Sequence, residues 1–388
     1  MESTSPTVKS ERGDALWGKL PDALTENILA RLPIPILAQS RLVCKNWNSI
    51  ILSDALTELR SQNNPVETWF LISWKPQKSI VVYDPSSRHW HEMPAHSLIA
   101  GDSQILGTAG GLLFVVSYFK CSSGGTDSEG HWYYEDFQFT VCNPLTGSWR
   151  KISCNNSVLD IYIVGMTYNH QSNSYIILLC GSSARGKQYL ATEVYESSTD
   201  CWTDGDDFIL PESETHFEFV QREAVCVDGF FFCLLNDTVH AYDLQRGKWT
   251  PLPAKVPPTD AFISLLGCCS GLLMVTELAP LQLSPGDASL PFRIWELEQS
   301  TMKWVEKQMA PPSLSNTFFD PGWHEDYYVF GQGEWLCLWT LEEDFRAFAY
   351  DCSRKQWHQL PRSHLLEGLD WLDNLCGMPF EPSFKARV

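Results

Sequence analysis

Apolar positions along the 388-residue chain fall into two regimes. Near the start they recur at helical spacing. Leu24, Ile28 and Leu32 lie four apart with Leu29 beside them, and Val43, Trp47, Ile50 and Ile51 follow at steps of three and four. Pro21 and Asp22 mark a helix start, because proline is pre-set for the first turn and an acid favours the positive end of the helix dipole. Pro33 stops that helix, and Pro35 opens a second, very short one carrying Ile36 and Leu37. The spacing predicts three helices over residues 16–60, too small a unit to bury all its apolar faces alone. The spare area points to a partner surface; otherwise these residues are the core of a small helical subdomain.

From residue 66 onward the period is that of strands, and it repeats. Six times a short apolar stretch enters a polar turn and is followed by tryptophan: VVYDPSSRHW, TVCNPLTGSW, EVYESSTDCW, HAYDLQRGKW, RIWELEQSTMKW and FAYDCSRKQW. Trp90, Trp149, Trp202, Trp249, Trp304 and Trp357 follow one another at intervals of 59, 53, 47, 55 and 53. In five copies the tryptophan lies seven positions after Tyr83, Cys142, Tyr195, Tyr242 or Tyr350. In the fifth repeat Trp295 precedes Trp304 by nine, which reads as a two-residue insertion in the turn. Strand, turn and strand make a hairpin, and a repeat near fifty residues suits one four-stranded blade of a β-propeller. Gly110-Gly111, Asp228-Gly229 and Ser270-Gly271 supply turns between further β-rich runs upstream of the hairpins.

The expected chain is therefore mainly β: a disordered segment 1–15, the helical head 16–60, a linker 61–65, about six blades over 66–384 and a tail 385–388. The first blade lacks an innermost strand locally. Met378 to Phe384 is the candidate to supply it and close the ring. The six tryptophans are expected to pack between neighbouring blades rather than meet a ligand.

The head resembles a known family. Leu20-Pro21, the Leu32-Pro33 stop, and Arg41-Leu42-Val43-Cys44-Lys45 followed by Trp47 look like the F-box, by which substrate receptors attach to the Skp-family linker of SCF-type cullin ubiquitin ligases. That resemblance implies that Leu20, Pro21, Leu24, Ile28, Leu32, Pro33, Leu37, Val43 and Trp47 meet the linker or hold the helices that do. The repeats more loosely resemble kelch repeats, with the double glycine degenerate in most copies, and F-box plus kelch is a plant-type arrangement of such receptors. In kelch propellers the loops joining second to third strands and those joining successive blades share one face. Their aromatic and basic residues here are Trp132, Tyr133, Tyr134, Arg185, Lys187, Phe217, Phe318, Phe319, Trp323 and Tyr327, which serve either as substrate contacts or as small local cores.

Composition narrows the partners. Residues 1–60 hold seven basic and seven acidic side chains, so the net charge of −19 belongs to the remainder, with 28−7 basic and 47−7 acidic residues. That sign disfavours nucleic acid. The clearest acidic patch, Asp200 to Glu218, is either a site for a basic partner or a solvated loop. No run of about eighteen apolar residues and no apolar signal core occurs, so an intracellular protein of nucleus or cytoplasm, away from membranes, is expected. Its thirteen cysteines then read as buried free thiols. His89 and His91 could seat a metal on one strand face, but no cofactor, metal or catalytic signature is expected. The favoured function is a non-catalytic receptor that joins linker and cullin to an unidentified target protein. The alternative is a propeller enzyme or small-molecule sensor carrying a linker-binding head.

Overall fold

The computed structural model describes residues 20–63, 67–73, 80–93, 103–120, 134–154, 158, 161–183, 189–210, 222–235, 238–257, 263–268, 271–277, 292–309, 327–340, 346–366 and 376–388. The chain divides into two compact units, 1–66 and 67–388.

Among its described residues the first unit holds four helices where three were expected: α1 (Asp22–Leu29), α2 (Ile34–Ser40), α3 (Lys45–Ile51) and α4 (Asp54–Asn63). Pro21 and Pro33 occupy the N-cap positions of α1 and α2, and the Cys44 sulfur accepts the Trp47 N–H at the start of α3. The fourth helix escapes a periodicity search because it contributes a single fully buried apolar side chain, Leu56. It is held by polar contacts instead. The Ser53 hydroxyl accepts the Leu56 N–H, and the Arg60 guanidinium donates to the Ala30 and Leu32 carbonyls at the C-terminal end of α1.

The second unit is built of six antiparallel four-stranded blades. Blade 1 is β25 (Cys376–Phe380), β1 (Trp69–Ser73), β2 (Ile80–Asp84) and β3 (His89–Met93). Blade 2 is β4 (Ser103–Ala109), β5 (Leu112–Lys120), β6 (Tyr134–Asn143) and β7 (Ser148–Ile152). Blade 3 is β8 (Ile161–Asn169), β9 (Ser174–Ser182), β10 (Tyr189–Glu196) and β11 (Cys201–Asp204), with the two-residue β12 (Phe208–Ile209) added on β10. Blade 4 is β13 (Arg222–Val227), β14 (Phe230–Leu235), β15 (Thr238–Asp243) and β16 (Lys248–Pro251). Blade 5 is β17 (Ile263–Cys268), β18 (Gly271–Glu277), β19 (Phe292–Glu298) and β20 (Lys303–Met309). Blade 6 is β21 (Tyr327–Gln332), β22 (Trp335–Thr340), β23 (Arg346–Asp351) and β24 (Gln356–Gln359). The innermost strands of blades 3 and 4 also pair in parallel, Arg222–Ala224 against Ile163–Gly165. Gly165 makes that approach possible, since a Cβ there would fall against the Phe231 ring.

The repeat has a common turn. Its fourth residue adopts positive φ in every blade: Arg88, Gly147, Asp200, Gly247, Met302 and Lys355. The strand-end side chain folds back over the turn where it is Asp or Asn; Asp84, Asn143, Asp243 and Asp351 each accept a turn N–H on Oδ1. In the fifth blade Leu297, not Trp295, pairs with Trp304, so the turn carries no insertion. Trp295 is simply an extra aromatic two positions up the strand.

Buried clusters lie between blades and take in the repeated tryptophans. Trp202 joins the cluster of blades 2 and 3, Trp249 that of 3 and 4, Trp304 that of 4 and 5, Trp357 that of 5 and 6, and Trp90 that of 6 and 1. Three indoles also donate to the preceding blade: Trp90 to the Pro361 carbonyl, Trp202 to the Ser153 carbonyl and Trp249 to the Thr192 hydroxyl. Trp149 departs from the expectation and is 54% exposed.

Around blade 2 the C-terminal segment supplies contacts instead. Asn143 is fully buried, and its side-chain amide donates to the Ser383 and Ala386 carbonyls while its Oδ1 accepts the Leu145 and Thr146 N–H groups. Ala386 is buried, so 385–388 is packed chain rather than a free tail. Asn stands here, where the first, fourth and sixth repeats have Asp, because an amide, unlike a carboxylate, can both accept and donate. Asn143→Asp is therefore expected to lower stability by about 2–4 kcal/mol, a buried charge facing two carbonyls. Denaturant unfolding of both chains measures it, and an effect within ~0.5 kcal/mol contradicts this account.

A second tie is titratable. His170 Nε2 lies 3.3 Å from Glu381 Oε1, and the hydrogen bond that the imidazole donates to that carboxylate raises its pKa above the usual value. A raised folded-state pKa means the tie is fully present below the unfolded value near 6.5 and is lost as pH climbs through the folded one. Because His170 is largely exposed, the tie is worth less than ~1 kcal/mol. The stability gap between wild type and His170→Gln should close as pH rises above about 6.5. A gap that widens with pH has the wrong sign.

Candidate docking surfaces

On the helical unit the apolar residues sort into two sets. Leu29, Ile34, Leu37, Ile50, Ile51 and Leu56 are its core. Leu24, Ile28, Ile36, Leu42, Val43 and Leu52 face solvent, with Leu24 at 52%, Val43 at 64% and Leu42 at 88% exposure. Of the sequence-predicted residues, Pro21, Leu24, Ile28, Pro33 and Val43 are exposed, Leu20, Leu32 and Trp47 are half-buried, and Leu37 is sealed inside, where it can only support the helices. Asn46 Nδ2 donates to Asp22 Oδ1 at 3.4 Å, which brings the first turn of α1 beside the start of α3. Leu42 and Ile36 were not among the residues expected to meet the linker; Leu42 sits in the turn between α2 and α3, outside any periodic stripe.

On the propeller the antiparallel order fixes one rim. Second strands lead to third strands, and fourth strands to the next blade, at the same end of every sheet, while the tryptophan turns lie at the other end. Trp132, Tyr133, Arg185, Lys187, Phe217, Phe318, Phe319 and Trp323 lie outside the described residues. Tyr134 and Tyr327 open β6 and β21, so both backbones start at that rim. Two residues the sequence reading passed over stand there as well. Tyr189 pairs with Ile209, and both are exposed, Ile209 at 68%. Beside them Phe208 turns inward against Trp249 and His240, whose burial lowers the imidazole pKa.

The acidic patch is partly neutralised. The Tyr195 hydroxyl and the Arg150 guanidinium hold the Asp200 carboxyl below its usual range, with Arg150 Nη2 at 2.5 Å, and Asp206 lies 3.8 Å from Lys248. Glu212, Glu214 and Glu218 lie outside the described residues.

Little supports other chemistry. His89 Nδ1 lies 2.6 Å from the Ser87 carbonyl oxygen and His91 stacks on Trp69, burial pushing its pKa down, so the two rings serve separate partners. Among the described residues no group of three or more His, Cys, Asp or Glu side chains is arranged to hold a metal, and no helix is long and apolar enough to cross a membrane. The described cysteines are free thiols; burial pushes Cys142 and Cys180 up to about 12, which keeps them protonated and unreactive. Cys226 is half-buried, and the side chains of Cys268 and Cys269 lie outside the described residues.

Residues 17–59 match the F-box domain family, and residues 131–319 match the F-box associated beta propeller domain family. Three Arabidopsis thaliana proteins align over most of the chain. F-box only protein 6 is 27% identical over 384 residues, covering 96% of this chain and 75% of its own. An F-box/kelch-repeat protein is 24% identical over 404 residues, covering 99% and 92%. Protein UNUSUAL FLORAL ORGANS is 22% identical over 374 residues, covering 89% and 79%.

Proposed function

The chain carries an F-box domain followed by an F-box associated β-propeller domain, and on that premise we propose that it is the substrate-recognition subunit of an SCF-type cullin ubiquitin ligase. The observation that carries the reading is the exposed apolar set Leu24, Ile28, Ile36, Leu42 and Val43 on a unit whose described core is formed by other side chains. Leaving such area in water is unfavourable by about 25 cal/mol per Å², and a protein partner that covers it recovers that free energy. The Skp-family linker is that partner, with the cullin reached through it.

The rim of the propeller captures the target. Tyr189 and Ile209 are its described anchors, and the segments carrying Trp132, Tyr133, Tyr134, Arg185, Lys187, Phe217, Phe318, Phe319, Trp323 and Tyr327 extend it. No catalytic group of the chain is needed. Holding a target lysine beside a conjugating enzyme raises its effective concentration, and this supplies the acceleration. Such work places the protein inside the cell, in nucleus or cytoplasm. Copurification of the full-length chain with linker and cullin tests the reading; a chain that brings down neither is not a ligase receptor.

A further inference from the structure

We infer that the seam between blades 1 and 6 is a binding site for a phosphate monoester. A cleft of ≈ 330 Å³ opens there, lined by Tyr83, Pro85, Ser86, Arg88, Trp335, Ala349, Arg354 and His358. Its ionisable lining, apart from the Tyr83 phenol, is two guanidiniums and an imidazole, on a chain whose net charge is −19. Of the carboxylates nearest in sequence, Asp84 and Asp351 are spent beneath it, while Glu334, next to Trp335, is exposed. Asp84 is buried and accepts the Ser86 N–H; Asp351 is buried, accepts the Ser353 hydroxyl and the Arg354 N–H, and has Arg354 Nη1 3.4 Å from its second oxygen.

The cations remain available. Arg88 makes no ion pair among the described residues, and the Arg354 side chain is 73% exposed despite its contact with Asp351. Two planar forks with an imidazole and the Ser86 hydroxyl offer more donors than a single carboxylate can use, and they match the three oxygens and double charge of a phosphate monoester. Trp335, with its ring 6.1 Å from that of His358, and the Tyr83 ring give flat apolar walls for the group that carries the phosphate. The volume sits at the small end of ligand sites, about 300–1,000 Å³, which suits a phosphorylated side chain or a metabolite of that size.

Pro85, Ser86, Arg88 and Arg354 come from the tryptophan turns, residues 85–88 and 352–355, and the rest of the lining from strands β2, β22, β23 and β24 beside them, at the end of the blades opposite the target-capturing rim. The site therefore stands apart from the receptor reading, and either fails without the other.

The test is a titration of the full-length protein with phenyl phosphate and with capped tripeptides bearing phosphotyrosine or phosphoserine, followed by phosphorus NMR and calorimetry. The comparison is Arg88→Gly with Arg354→Gln. Glycine suits the positive φ at position 88, and both side chains are at the surface, so the variant should fold; circular dichroism checks it. Saturable binding that weakens about tenfold or more in the variant supports the site. The tighter of the two probe types then separates a protein side chain from a free metabolite. No saturable binding, or equal affinity in both proteins, overturns it.

Discussion

A chain ending at Leu375 should not form a stable ring. The lost segment supplies β25, whose five residues Cys376–Phe380 pair with Ser73–Trp69 to complete blade 1, so its removal exposes the inner edge of β1. It also buries Met378 and Phe380, worth about 1.5–3 kcal/mol each. Asn143 would lose both carbonyl acceptors, leaving a buried amide unsatisfied at about 1–3 kcal/mol. Together these approach the whole net stability of an ordinary domain, about 5–15 kcal/mol. The measurement is thermal unfolding of the full-length and truncated chains, with near-ultraviolet circular dichroism to report aromatic packing. A subtler variant makes the same point without shortening the chain. A Cβ on Gly377 would overlap the Trp339 ring, which is fully buried and has no room to retreat, so Gly377→Ala should shift the transition far down as well. Equal melting temperatures for all three proteins would mean that the ring does not depend on this strand.

The sequence makes the frame of the molecule legible and its special positions less so, for physical reasons. The tryptophan hairpins repeat because every blade needs the same turn and the same bulky residue at its seam; that periodicity survives changes elsewhere. The Met378 to Phe384 candidate for ring closure followed from a missing strand; the strand that closes blade 1 is β25, Cys376–Phe380, so it starts two residues earlier and ends four residues sooner than that candidate. Trp295 misled because aromatic identity was taken as the register marker, whereas the backbone counts positions from the turn and selects Leu297. Asn143 looked like one more turn former, and its second role needs partners 240 and 243 residues away that no local pattern reveals. Helix α4 lacked a stripe because Arg60 and Ser53 hold it through polar contacts. On the head, spacing alone could not separate Leu24 and Ile28, which the fold leaves exposed, from Leu37, which it buries.

That separation sets up the remaining prediction. Leu24→Asp with Val43→Asp should abolish linker binding while leaving the head folded. Both side chains are already mostly in water, so each acid costs the folded chain little, and an acid in the first turn of α1 even favours the helix dipole. Against a partner surface the same acids must be desolvated without a counter-charge, and two anchors of this kind lost together weaken association by about 4 kcal/mol or more, roughly a thousandfold. Leu42→Asp, at the most exposed of these positions, should act in the same direction. Leu37→Ala is the contrasting variant. It opens a cavity in the small core, destabilises by about 2–5 kcal/mol, and should lower linker binding only through unfolding, visible as lost helical circular dichroism. Copurification with the linker, read beside circular dichroism for all three variants, separates contact from support. Undiminished linker binding by the double Asp variant would remove the apolar face from the docking site and, with it, the physical basis of the receptor reading.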